Sequence, residues 1–262
     1  MIVDTPRLFL KLLRTLEIDT VCDVGSMDGA DALRFRRALP AADVIAFEPN
    51  PRNFELMAAD EELARERVRI LPFAVSDRDA EAPFFVVSAR YARNVDVQRR
   101  GISSLHPPAD GSSIAEVARV RTVRLDGVLS ERSAAARIAL WIDTEGMGFE
   151  AVAGATRVLA RTQMLHIETE TVRCIGPGQR LLPDIERILD PDFALLATDH
   201  PRDWSQLNAL FVRKGPLHAH SAEIRSLLAS ERRRHRVTSA VRQLVPGRLR
   251  RFVSRNSHGV RK

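Results

Sequence analysis

The stretch Thr20-Val-Cys-Asp-Val-Gly-Ser-Met-Asp-Gly29, with Ala46-Phe-Glu-Pro-Asn50 after it, decides the fold. The first segment reads as an apolar strand, a glycine turn and the start of a helix. The second reads as another apolar strand that ends in an acid. An α/β sheet builds a nucleoside pocket from these parts. Gly25 lets the backbone turn where a Cβ would clash, and Gly29 lets a ligand or a strand approach the new helix. Glu48 follows the first turn by about 20 residues, the spacing at which an acid closing the second strand accepts hydrogen bonds from ribose hydroxyls.

The turn also discriminates among adenosyl ligands. A dinucleotide site asks for Gly-x-Gly-x-x-Gly, and here only Gly25 and Gly29 are present, too few for a pyrophosphate cradle. S-adenosyl-L-methionine has no phosphate. It needs a turn, an acid near the methionine ammonium and an acid for the ribose. Asp23, Gly25, Ser26, Gly29 and Glu48 supply them, with Pro49 and Asn50 leading into the next helix. Ser76 and Asp77 follow the third strand, where Asp77 is placed to reach an adenine amino group. A nicotinamide oxidoreductase is disfavoured by the missing glycines and by the lack of a Ser-Tyr-Lys set.

Outward from this core, residues 5–16 predict a helix. Thr5 is its cap, Pro6 suits its first turn, and Leu8, Leu12, Leu13 and Leu16 share a face. Packing on the sheet is expected ahead of a place on a membrane surface. Strands are predicted at 20–24, 43–47 and 68–73, with helices at 30–39 and after Pro51. The alternation then lapses. Pro83-Phe-Phe-Val-Val-Ser88 and Val120-Arg-Thr-Val-Arg-Leu125 are β-like and 92–118 is polar, which predicts a ribbon inserted in the third crossover. Order resumes with a strand at 138–143, a helix at 147–160, a strand at 164–168, a helix at 181–190 and strands near 193–198 and 207–213. Continuous apolar strands between helices predict an α/β sandwich around a mostly parallel sheet covered on both faces.

The chain of 262 residues is 45% hydrophobic and 28% charged, which excludes a disordered chain. It divides into a domain over 1–216 and an extension over 217–262. No apolar run reaches the roughly 20 residues of a membrane span. No export signal is recognisable, and Cys22 and Cys174 make neither a disulfide framework nor a zinc site, so a cytoplasmic location is expected. The net charge of +6 is unevenly spread: residues 217–262 hold twelve Arg or Lys against Glu223 and Glu231, a net +10 that leaves −4 for the rest. Segment 221–245 has helical spacing, and Pro246-Gly247 breaks it. Such a tail suits a peripheral contact with the inner membrane face or with a protein partner; it would also attract phosphate backbones without sequence preference, which makes a nucleic-acid methyltransferase the alternative.

The chain resembles the FkbM family of S-adenosylmethionine-dependent methyltransferases. The matching segments are Asp23-Val-Gly-Ser-Met-Asp-Gly29, Ala46-Phe-Glu-Pro-Asn-Pro51, Ala74-Val-Ser-Asp77, Ile102-Ser-Ser-Leu105, Thr122-Val-Arg-Leu-Asp126, Ile142-Asp-Thr-Glu-Gly146, Ala153-Gly-Ala155, His166-Ile-Glu168 and Asn208-Ala-Leu-Phe211. They keep the family's order over about residues 19–213. The resemblance implies a Rossmann-like class I methyltransferase fold of seven strands, the last antiparallel. It also implies methyl transfer, usually to a hydroxyl of a carbohydrate or natural product. Met27 stands where members often carry Asn, Trp141 where they often carry Lys, and Gly148 where a second acid is common. The basic tail lies outside the resemblance.

Ligands of parallel sheets sit beyond the carboxyl ends of the strands. Asp143, Glu145, Glu168 and Glu170 lie at such ends, and Asp143, Glu145, His166 and Glu168 are the candidates for chemistry. A hydroxyl acceptor needs a base. The acids have three alternative roles: holding the methionine end, acting as base, or binding a divalent cation. Glu145 also suits a helix cap, and His166 a core position. Arg99-Arg-Gly-Ile-Ser-Ser-Leu105 reads as a lid or a plain connection. The acceptor is expected to be a small molecule or glycan. Specific nucleic-acid binding is not expected, because strand four ends in Ile-Asp-Thr-Glu-Gly146 without the Asp/Asn-Pro-Pro-aromatic motif of amino-methylating enzymes.

Overall fold

The computed structural model describes residues 1–87, 103–107, 114–176 and 178–244, and the side chains of all but 114–115 and 238–244 among them. In chain order the first half comprises α1 (Thr5–Thr15), β1 (Thr20–Val24), α2 (Ala30–Ala38), β2 (Asp43–Phe47), α3 (Pro51–Ala58), α4 (Glu61–Arg65), β3 (Arg69–Leu71), β4 (Phe73–Val75), β5 (Ala80–Val87) and β6 (Ile114–Val123). The second comprises α5 (Leu125–Val128), β7 (Ile138–Ile142), α6 (Gly148–Ala153), α7 (Thr156–Leu159), β8 (Thr162–Glu170), α8 (Leu182–Leu189), β9 (Phe193–Thr198), β10 (Gln206–Arg213), α9 (Lys214–Ala219) and α10 (Ser221–Leu244).

Seven strands form the main sheet in the order β3-β2-β1-β7-β8-β10-β9. All neighbours are parallel except β10, which is antiparallel to both β8 and β9. This is the sheet that the resemblance implies. β1 and β7 are buried along their whole length, which is why they read as unbroken apolar runs. Leu8, Leu12, Phe35 and Trp141 fill the core on one face of the sheet. Leu125, Ile142, Ile167 and Ile185 fill the other.

The predicted strand 68–73 is two strands. Pro72 has no N–H for the ladder; β3 stays in the main sheet, while β4 leaves it to pair parallel with β6. β6 also pairs antiparallel with β5, and β4-β6-β5 is the inserted ribbon. β6 begins at Ile114, so 114–118 is strand where a polar loop was expected. Within the proposed lid, Arg99–Ile102 lie outside the described residues, while Ser103 and Ser104 are buried, Ser104 bridging to Phe85. The helix predicted over 147–160 is also broken, into α6 and α7. Between them a Cβ on Gly154 would lie 2.0 Å from the Ser76 carbonyl oxygen.

Asp4, rather than Thr5, caps α1: its side chain accepts the Arg7 N–H at 3.0 Å. Thr5 is buried beneath the helix and hydrogen-bonds the His166 ring at 3.1 Å. α1 packs on the sheet, with Leu8, Leu12, Leu13 and Leu16 fully buried. α10 runs antiparallel beside it. The Thr15 hydroxyl donates to Glu223, Arg7 and Lys11 reach Glu231, and Ile224 and Leu228 enter the same core.

Candidate functional site

The carboxyl ends of β1, β2 and β7 and the first residues of the ribbon enclose a cleft. Gly25, Met27, Glu48, Pro49, Asp143 and Thr144 line its polar side. Phe73, Val75, Phe84, Leu105 and Met147 line its apolar side.

The turn after β1 forces the choice of glycine twice. Gly25 has φ +86°, and a Cβ there would lie 1.7 Å from the Asp143 carbonyl oxygen. Gly29 has φ +79°, and its Cβ would run into Leu63. Between them Met27 adopts φ 58°, a left-handed conformation that stores strain in a non-glycine residue. The strain places the Met27 N–H on Glu48 Oε2 at 2.7 Å. Glu48 Oε1 accepts from the Asn50 N–H at 2.9 Å and the Asn53 amide at 3.2 Å. The buried carboxylate is thus held in a fixed pose at the tip of β2 before any ligand arrives.

The other residues expected at the cofactor lie behind this surface. Asp23 is 1% exposed and accepts from the Ser26 hydroxyl at 2.6 Å. Burial, and the charge of Asp31, push its carboxyl well up. Asn50 caps α3. Ser76 is buried beside Gly154, and Asp77 is paired through both oxygens with Arg78; neither lines the cleft.

A second group sits at the carboxyl ends of β7 and β8. Asp143, Glu145 and Glu168 each present an oxygen within 4.8 Å of the others. Glu170 adjoins them. Gln206 donates to Glu168 at 2.8 Å and Gln179 to Glu170 at 2.6 Å. Asp143 is open to water through the cleft while protein crowds its remaining sides. Loss of hydration and the surrounding acids push Asp143 and Glu168 both up, Glu168 the further. The two carboxyls are in hydrogen-bond contact, and two carboxyls so close share a proton. Burial raises Glu145 to about 8, helped by Asp143. Its backbone has φ 47° and its carbonyl accepts the Ser104 hydroxyl at 2.7 Å. A hard divalent cation also fits three such oxygens.

His166 is elsewhere. It is 1% exposed, stacked on Trp141 with ring centroids 3.7 Å apart, and touched edge-on by Phe9. Burial lowers its pKa to about 3. On the strand face that carries Glu168 and Glu170 it lies nearest the core. Sequence reasoning also passed over His106, whose Nε2 is buried without a partner and whose backbone N–H donates to Ser104. It missed Gln179 and Gln206 as well; a lone glutamine carries no local signal.

The cleft suits a nucleoside without phosphates. One wall is apolar, Glu48 lies on the other, and among the described residues no lining side chain is cationic.

Among curated proteins the chain is 28% identical over 184 residues to the 2-O-methyltransferase NoeI of Sinorhizobium fredii, covering 68% of this chain and 73% of that protein. Solved structures to which the chain is similar include magnesium protoporphyrin IX methyltransferase from Synechocystis with bound SAM (15% identity, 80% of this chain and 78% of that one, TM-score 0.43). The O-methyltransferase from Bacillus cereus in complex with SAH is another (11% identity, 81% and 83%, TM-score 0.43). The methyltransferase FkbM domain profile matches residues 23–193. The protein is therefore an S-adenosylmethionine-dependent methyltransferase, and the chain belongs to the FkbM family.

Proposed function

We propose that the protein methylates a hydroxyl of a carbohydrate or secondary metabolite. The similarity to a 2-O-methyltransferase supports oxygen as the acceptor atom. The observation that carries the reading is Asp143 lining the cleft with the Glu168 carboxyl against it, their oxygens within 4.8 Å.

S-adenosylmethionine, when bound, supplies an electrophilic methyl group on sulfur. Glu48 holds the ribose and the turn at Gly25–Met27 receives the methionine end. The protein's share is to align the acceptor oxygen and to take its proton. Asp143 is the base. Its carboxylate keeps a lone pair toward the cleft because the proton shared with Glu168 lies on its other side. Glu145, neutral below about 8, donates to a neighbouring acceptor hydroxyl.

The test has two parts. Calorimetric titration with S-adenosylhomocysteine on wild type and Glu48→Ala reads the ribose contact, and binding is lost in the variant. Asp143→Asn should bind S-adenosylhomocysteine within about threefold of wild type while turnover on a panel of glycans falls by about 10² or more. Full turnover by Asp143→Asn removes it as the base.

A further inference from the structure

α10 carries a second site at the same end of the sheet. Arg225, Arg232, Arg233 and Arg236 share one face of the helix and rim a groove. Its floor is Met1 and Leu228. All four arginines are exposed, and among the described residues none pairs with an acid. Glu231, on the same helix, is turned inward, 1% exposed, and engaged by Arg7 at 3.1 Å and Lys11 at 2.5 Å. That contact fixes the rotation of the helix and presents the arginines outward.

The topology places the groove relative to the cleft. β9 runs with the parallel strands, since both it and β8 are antiparallel to β10. The Val3 N–H donates to the Thr198 carbonyl and the Thr198 N–H to that of Met1. Met1 therefore sits at the carboxyl end of β9. α10 climbs toward it, with Glu223 beside Thr15 and Glu231 beside Arg7. Arg232 and Arg236 emerge at the end of the sheet onto which the cleft opens.

We propose that this arginine face docks the protein on an anionic phospholipid bilayer, with the cleft end of the sheet toward it. Arginines around an apolar floor match a layer of phosphates over acyl chains. Exposed Met1 (52%), Ile2 (38%) and Val237 (64%) lie alongside as apolar contacts. Among the described residues no aromatic side chain lines the groove, so these residues offer no stacking platform for a single-stranded nucleic acid. No described helix is long and apolar enough to cross a membrane, so the contact is peripheral.

Sedimentation of the full chain with phosphatidylcholine vesicles, with and without phosphatidylglycerol, tests the proposal. Binding is expected only with phosphatidylglycerol and should weaken with salt. Each arginine near such a surface contributes about fivefold, so Arg232→Gln with Arg236→Gln should weaken binding about 30-fold. S-adenosylhomocysteine affinity and melting temperature should stay unchanged in that variant. A second variant, Arg248→Gln with Arg250→Gln and Arg251→Gln, separates α10 from the chain beyond it. Wild-type binding by the α10 variant, equal binding to neutral vesicles, or tighter retention on single-stranded RNA than on anionic vesicles at the same salt each overturns the proposal.

Discussion

Glu145→Gln should stabilise the protein, and only at high pH. The Glu145 carboxyl titrates at about 8 in the folded chain against 4.5 in the unfolded one. Between those values the folded state binds the extra proton. Stability therefore falls as pH rises through that window, and is fully retained below 4.5. At 1.36 kcal/mol per unit the ionised side chain costs the fold on the order of 5 kcal/mol above pH 8. Water entering the cleft screens this to less than half, about 2 kcal/mol. Glutamine keeps the size and the left-handed backbone of the site and cannot ionise. For a chain of this length 2 kcal/mol is about 4–8 °C in melting temperature. Thermal melts of wild type and variant should coincide near pH 4.5 and separate by that amount near pH 8.5, the variant higher. A gap independent of pH, or no gap, would refute the reasoning that Glu145 is held protonated by burial among Asp143 and Glu170. Wild-type turnover at neutral pH by the variant would also show that its proton-donor role is met by an amide.

Gly25→Ala should prevent a stable fold or abolish cofactor binding, because the new Cβ meets the Asp143 carbonyl at 1.7 Å; wild-type S-adenosylhomocysteine titration would contradict that. His166→Phe should keep turnover within about threefold, far from the 10²-fold loss of a missing base. Its stability should also lose the decline that a histidine depressed to about 3 imposes as pH falls below 6.5; a turnover collapse in a folded variant restores His166 to the chemistry. The acid limb of the turnover profile should lie above the ordinary aspartate value of 3.8, since Asp143 is raised, and Asp143→Asn should erase it. Glu231→Ala should destabilise by about 1–2 kcal/mol and expose α10 to proteolysis, whereas an unchanged digestion pattern means the helix is held by Ile224 and Leu228 alone.

The parts legible in the sequence are those set by local chemistry. A glycine turn after an apolar strand, and an acid at the next strand's tip, fixed the cleft wall from Gly25 to Glu48. Continuous apolar runs alternating with helices gave a mostly parallel sheet covered on both faces, and the antiparallel last strand came from the family resemblance. What stayed hidden depends on partners far along the chain. β4 departs from the main sheet because β6 pairs with it, Phe73 opposite Arg121, and nothing near Pro72 announces that. Gly154 ends α6 because Ser76 crosses there. Gln206 reaches Glu168 only through the antiparallel register that sets His166 opposite Leu210. Asp77 carries the right charge at the right place in the chain, yet its neighbour Arg78 engages it.

Pro72 has a wider consequence. Beyond it the backbone leaves the central ladder, and the excursion closes through pairing among its own strands before Leu125 re-enters the core. Length added inside that detour leaves every hydrogen bond of the seven-stranded platform in register. Each doubling of such a connection adds only about 0.6 kcal/mol of closure entropy. Phe84, Ser103 and Leu105 hang from it over the cleft, so the part of the molecule freest to vary in length also roofs the reaction chamber.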